Sequence, residues 1–253
     1  MTWTKVTTAV GLTAFTAAFV PASAEQRHHW SYSGEGGPSH WAELDAKNAA
    51  CGEGKSQSPV NIRTQDVRRT SLPQLMFDYR SAPLHIIDNG HSVQINVERG
   101  SHLKFGDKPY ELVQFHFHHP SEELINGKRS EMVVHLVHRD TVGKLAVVAV
   151  LLRAGQPNAT VETLWSHLPK QKERQADFKH VVINPAGLLP TDRSYFTYMG
   201  SLTTPPCSEG VRWLILRSPS TLSKHELAVF AKLYPNDARP VQKLNGRQVL
   251  GTK

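Results

Sequence analysis

From Leu75 to Leu216 short apolar runs alternate with breaks rich in Gly, Asn and Asp, the pattern of a β-rich body. The runs 75–79, 84–87, 93–97, 103–105 and 111–118 predict five successive strands. Asp88-Asn89-Gly90, Arg99-Gly100 and Gly106-Asp107 between them carry hairpin turn chemistry. The stretches 132–137 and 145–152 are almost continuously apolar and predict central strands covered on both faces, and 211–216 predicts another. Helix is scarcer. Residues 161–168 form one candidate, and Ser223-Lys224-His225-Glu226 reads as a capping box opening a helix that stops before Pro235. The expected fold is mainly β: a large twisted, mostly antiparallel sheet with a few peripheral helices. At 253 residues it is expected to fold as a single domain.

The N-terminus departs from this pattern. Lys5 is the only charge before Glu25, the run from Val6 to Val20 is apolar and Thr/Ala-rich, and Ala22-Ser23-Ala24 offers a small-x-small cleavage site. Residues 1–24 are therefore expected to be a secretory signal peptide, with a mature domain over 25–253 that is periplasmic or secreted. The run is short for a membrane span, so no stable span is expected after cleavage. Export also changes the reading of Cys51 and Cys207: an even pair in an oxidising compartment predicts a disulfide closing a long loop, with two buried free thiols as the alternative. Asn158-Ala159-Thr160 is a glycosylation sequon, relevant only in a eukaryotic secretory host.

The net charge of +7 falls by one once Lys5 leaves with the leader. The basic residues are dispersed over Arg68-Arg69, Lys170 to Arg174 and Arg239 to Arg247, with no stripe of interleaved aromatics. That argues for a solvated basic surface rather than a nucleic-acid interface.

The densest chemistry lies in Gln114-Phe115-His116-Phe117-His118-His119-Pro120. In a strand His116 and His118 share a face, and His135 in a second apolar strand can meet them. A lone His-x-His is more often a hydrogen-bonded pair. Three converging imidazoles with an open fourth position form the ligand set of a catalytic zinc.

Six motifs then occur in order: Gln57-Ser58-Pro59-Val60-Asn61-Ile62, Asn89-Gly90-His91, Gln114 to His118, Pro120-Ser121-Glu122, Val134-His135-Leu136-Val137-His138, and Ser201 to Glu209. Together, over about residues 28–249, the chain resembles the α-class carbonic anhydrases in their exported bacterial form. The resemblance implies a sheet of about ten strands and reversible hydration of carbon dioxide to bicarbonate and a proton. It implies that His116, His118 and His135 hold Zn²⁺, whose hydroxide attacks CO₂ in an apolar pocket. Val137, Val147, Leu202, Val211 and Trp213 match the pocket wall, with Thr203 and Thr204 also at the substrate. Thr203 matches the gatekeeper, oriented by Glu122, and Gln114 matches the partner of the first ligand. His91 matches the proton shuttle, and Tyr32, Asn89 and Gln94 fall where the connecting waters are ordered. The implied partner is a small molecule, and the chain is expected to be a monomer or homodimer.

The chain also departs from the family pattern. A Glu is expected two residues before the third ligand, and Val133 stands there; Glu131 shares its strand face and is a candidate replacement. Glu123 stands where the family has His, and His119 where Thr or an aromatic is usual. Two rival readings remain: a cupin-like metal protein with Glu122 as fourth ligand, and a non-catalytic relative using the same fold as a binding module. Ester hydrolysis at the same centre is a conceivable side activity.

Overall fold

The computed structural model describes residues 1–2 and 29–253, so the leader expected over residues 1–24 lies almost wholly outside the described residues. Among the described residues no helix is long and apolar enough to cross a membrane. The N-terminal part carries two short helices, α1 (Trp41–Leu44) and α2 (Ala50–Glu53). Strands β1 (Asn61–Ile62), β2 (Arg68–Thr70), β3 (Leu75–Asp78), β4 (Ala82–Asp88), β5 (Val93–Asn96), β6 (His102–Phe105), β7 (Lys108–His118), β8 (Leu124–Ile125), β9 (Met132–Arg139) and β10 (Leu145–Ala154) follow. Helix α3 (Ala159–Ser166), β11 (Ala176–Ile183), β12 (Tyr195–Ser201), β13 (Glu209–Leu216), β14 (Ser220–Leu222), α4 (Lys224–Leu233) and β15 (Leu250–Thr252) complete the chain.

Thirteen strands form one sheet, whose continuous path runs β11-β4-β5-β7-β9-β10-β13-β12-β15-β2. Most pairs are antiparallel; β10 with β13, β10 with β14, and β15 with β2 are parallel. The long apolar strands occupy the middle as expected. In β9 and β10 residues on both faces are buried, because one face packs in each of two hydrophobic clusters. The first cluster holds Val134, Leu136, Val148 and Val150 under α3 and α4; the second holds Val133, Val147, Ala149 and Trp213.

Helix α4 opens on the predicted capping box, with the Ser223 hydroxyl accepting from Glu226 N and the Glu226 carboxylate accepting from Ser223 N. Asn158 is the N-cap of α3: its Oδ1 accepts from Thr160 N and Val161 N, and its Nδ2 donates to Gly187 O. The sequon asparagine is thus committed to capping α3 and to Gly187. Of the predicted hairpins, Gly106-Asp107 does join β6 to β7, with Gly106 at φ 61°. Arg99-Gly100 does not close one: β5 and β6 both pair with β7, end to end along that long strand. Strands β11 and β12 were not anticipated from the pattern. The first is half exposed at the sheet edge and mixes charge into its run. The second carries Tyr195, Phe196 and Tyr198 on a strand interrupted by Thr197 and Gly200.

Cys51 and Cys207 form a disulfide across a sequence separation of 156, which removes the free-thiol alternative.

Candidate metal centre

Strands β7 and β9 bring the three histidines together. His116 lies opposite His135 in the antiparallel register, and His118 follows two residues on along the same face of β7. One ring nitrogen from each lies within 4.8 Å of the others. His118 and His135 are each 1% exposed, while His116 is partly exposed.

The outward ring nitrogens are all committed. His116 Nδ1 is 2.8 Å from Gln114 Oε1, His118 Nδ1 is 2.7 Å from the Asp237 carbonyl, and His135 Nε2 is 2.9 Å from Glu123 Oε1. Each of those nitrogens donates, so the remaining one keeps its lone pair for a metal. His118 Nε2 is buried without a hydrogen-bond partner. A buried ring nitrogen without a partner, facing two others, is costly unless a cation occupies the point where they converge. Burial, reinforced by His118 and His135, holds His116 well below the ordinary imidazole range, so it is neutral and able to ligate. The donor set therefore fits Zn²⁺ with three protein ligands and an open position.

Glu122 is fully buried, and its Oε1 accepts from Arg239 N at 2.8 Å. Its Oε2 lies 3.7 Å from His118 Nε2 and 3.8 Å from His135 Nδ1, without a hydrogen bond. Its two oxygens make no bond to Thr203, so the expected gatekeeper pairing is not formed in this structure. Thr203 itself is buried in a tight turn in which Leu202 N donates to Ser208 O and Cys207 N to Thr204 O. Arg239, buried to 1% exposure, braces this region: its guanidinium donates to Gln57 Oε1, Ser58 O and Cys51 O.

Val147, Val211 and Trp213 are buried in the second cluster, with Val137 and Leu202 packed against it. The Trp213 ring stands edge-on to His135, centroids 4.9 Å apart, so this apolar surface abuts the histidines. Thr204 is partly exposed beside Thr203. Asn89 Nδ2 is 3.4 Å from Gln94 Oε1, and Gln94 pairs with His116 across β5 and β7, which sets both beside the first histidine. Tyr32 lies edge-on to Trp30 and Trp41; burial, then the charges of Glu122 and Asp237, raise its phenol well above the usual range. His91 stacks against both Trp30 and His29, with centroids 3.5 and 4.8 Å away. Burial, with His29 and Lys172 nearby, pulls its pKa down to about 4.

Glu131 is solvent-exposed at the head of β9 and does not replace the carboxylate missing at Val133. Glu123 reaches His135 instead. Sequence reasoning also missed the Asp237 carbonyl and the Trp30 stack. A backbone carbonyl carries no residue-type signal, and only the abundance of aromatics in the arm hinted at Trp30.

The family model for eukaryotic-type carbonic anhydrases matches residues 36–253. A carbonic anhydrase of Nostoc sp. is 39% identical over 241 residues, spanning 94% of this chain and 91% of that protein. One of Klebsiella pneumoniae is 41% identical over 225 residues, spanning 88% and 90%. Among solved structures, the α-carbonic anhydrase of Thermovibrio ammonificans in complex with the inhibitor sulfanilamide superposes with a TM-score of 0.85 at 38% identity. That match covers 88% of this chain and 98% of that one.

Proposed function

This chain belongs to the eukaryotic-type (α) carbonic anhydrase family, and from that premise we propose that it hydrates CO₂ reversibly at Zn²⁺ held by His116, His118 and His135. The observation that carries the reading is the convergence of three ring nitrogens within 4.8 Å while every outward nitrogen is spent on Gln114, the Asp237 carbonyl or Glu123. When bound there, Zn²⁺ lowers the pKa of a ligated water to about 7, a property established for carbonic anhydrases as a class.

The protein's own groups do the rest. CO₂ offers little to hydrogen-bond, so it is received by the apolar side formed by Val137, Val147, Leu202, Val211 and Trp213 beside the histidines. Thr203, buried in the turn braced by Arg239 and the disulfide, orients the attacking oxygen through its Oγ1. Glu122 would accept from the Thr203 hydroxyl in the working site through its Oε2, which has no hydrogen-bond partner in this structure. Thr204 lines the exit of bicarbonate. The imidazole of His91 passes the released proton to buffer, along water held by Tyr32, Asn89 and Gln94.

Residues 1–24 are a cleaved export signal in this reading, and 25–253 act in the periplasm or outside the cell. The disulfide, which persists in oxidising compartments, supports that location. The cupin-like alternative falls with the family match and with the fold, a thirteen-stranded sheet beside a two-stranded one.

Stopped-flow CO₂ hydration on the mature protein, with zinc quantified in the same sample, tests the reading. Near one zinc per chain, with hydration abolished in His118→Ala, is the expected result. Full zinc occupancy without hydration would overturn it and leave a zinc-bearing binding module.

A further inference from the structure

Strand β9 supplies the third histidine but no carboxylate to hold it: Val133, two residues before His135 on the same face, is fully buried in the second hydrophobic cluster. The partner comes instead from the segment that leaves β7. Glu123 Oε1 lies 2.9 Å from His135 Nε2, with Glu123 fully buried and His135 at 1% exposure.

That segment is anchored from several sides. Ser121 N donates to Ser130 O, Ser121 Oγ donates to Glu123 O at 2.9 Å, and Ser130 N donates to Ser121 Oγ at 2.9 Å. Arg129 also donates to Ser121 O. Immediately after Glu123, Leu124 N donates to Val60 O, and β8 pairs with β1. The Glu123 backbone is thus fixed on both sides, which aims its carboxylate at one ring nitrogen.

The neighbouring carboxylate cannot take this role. Glu122 lies on the other side of the ring, 3.8 Å from His135 Nδ1, with its Oε1 held by Arg239 N. The second oxygen of Glu123 is buried and makes no hydrogen bond. Burying a carboxylate for a single bond is a poor structural device, because its desolvation costs several kcal/mol. Orienting a ligand accounts for that expense.

We infer that Glu123 is the positioning residue for His135, supplied by the β7–β8 connection in place of the carboxylate that β9 lacks at Val133. By accepting Nε2–H it fixes the tautomer and turns the Nδ1 lone pair toward His116 and His118. Val133 is the complement of this arrangement. A Glu there would put a second buried carboxylate beside the same imidazole, so the chain keeps an apolar residue at that position.

The test, which rests on the trio being a zinc site, is zinc affinity measured on metal-free protein by competition with a chelator of known affinity. Unmutated protein is compared with Glu123→Ala, the isosteric Glu123→Gln, and the double variant Glu123→Ala/Val133→Glu, with circular dichroism confirming the fold of each. Glu123→Ala is expected to bind zinc about 10–100-fold more weakly, with Glu123→Gln weakened in the same direction. The double variant is expected to recover a large part of the loss, whereas Val133→Glu alone gains nothing. Nitrogen NMR of the zinc-loaded protein should find the His135 proton on Nε2 and find that signal weakened or exchange-broadened in Glu123→Ala. Folded Glu123→Ala and Glu123→Gln that bind zinc within about twofold of the unmutated protein would overturn the assignment. Failure of the unmutated protein to bind zinc would instead overturn the metal-centre reading itself.

Discussion

The imidazole of His91 lies flat against the indole of Trp30, ring centroids 3.5 Å apart and planes inclined by 11°. This stack covers one face of the residue proposed to carry protons, and the His29 ring also lies nearly parallel to it, centroids 4.8 Å apart. Burial disfavours the charged ring, which is why its pKa falls to about 4. A proton carrier works best with a pKa near the working pH. Trp30→Ala should therefore raise the His91 pKa by about two units, toward its ordinary value. It should also increase hydration in dilute buffer, where proton export limits turnover. NMR titration of the His91 ring checks the first effect, and buffer-dependent stopped flow the second. An unmoved pKa would mean the stack is not its cause.

His138 gives a second pH dependence, on the face of β9 opposite to His135. It is buried in the first cluster's face of β9, with Nε2 2.7 Å from Tyr79 Oη and Nδ1 donating to the Ala146 carbonyl. Burial lowers its pKa to about 3, against the opposing pull of the Ala146 and Leu136 carbonyls. Between the ordinary 6.5 and about 3 the unfolded chain binds a proton there that the folded chain refuses. Stability attributable to this group is thus lost as pH falls through that window, by about 1.4 kcal/mol per unit at most. Urea unfolding at pH 7 and pH 4.5 should show a smaller loss in His138→Gln than in the unmutated protein.

Removing the Cys51–Cys207 bond releases a loop of more than a hundred residues in the unfolded chain. Cys207→Ser should cost about 3–5 kcal/mol in the chain-entropy model. It should also lower the thermal midpoint by on the order of 10 °C. Cys207 is four residues from Thr203, and its carbonyl accepts from Gln57 Nε2 at 3.0 Å. Hydration should therefore fall as well, measured well below the new midpoint. Unchanged melting would remove the disulfide from the list of stabilising features.

Zinc removal should act on stability independently of catalysis. A ligand bound only by the folded chain at about 1,000 times its dissociation constant contributes roughly 4 kcal/mol. Chelation should then lower the midpoint by on the order of 10 °C, reversibly on adding zinc. His118→Ala should melt at the same temperature with and without chelator.

The local rules of a strand made the metal centre visible early. A period of two puts His116 and His118 on one face whatever surrounds them, and the apolar run around His135 marks a neighbouring central strand. The capping box at Ser223 and the Gly106-Asp107 hairpin are legible for the same reason, since each is decided within a few residues. The Cys51–Cys207 pair was legible because only two cysteines are present. Arg99-Gly100 has hairpin chemistry and closes no hairpin, because β7 is long enough to pair with β5 and β6 in succession.

Other assignments depend on partners far away in the chain. The carbonyl that holds His118 belongs to Asp237, 119 residues on, and any residue there would offer the same carbonyl. The carboxylate for His135 could have come from Glu131 or Glu123. Strand parity favoured Glu131, which proved exposed, whereas Glu123 is carried inward by the contacts of Ser121 and by the pairing of β8 with β1. Short-range periodicity marked His116, His118 and His135 as candidates, a property of neighbouring positions, and the order of six motifs along the chain carried the resemblance to the family. Which ring nitrogens are turned inward, and how acidic His91 becomes, follow from packing between segments brought together only when the sheet has formed.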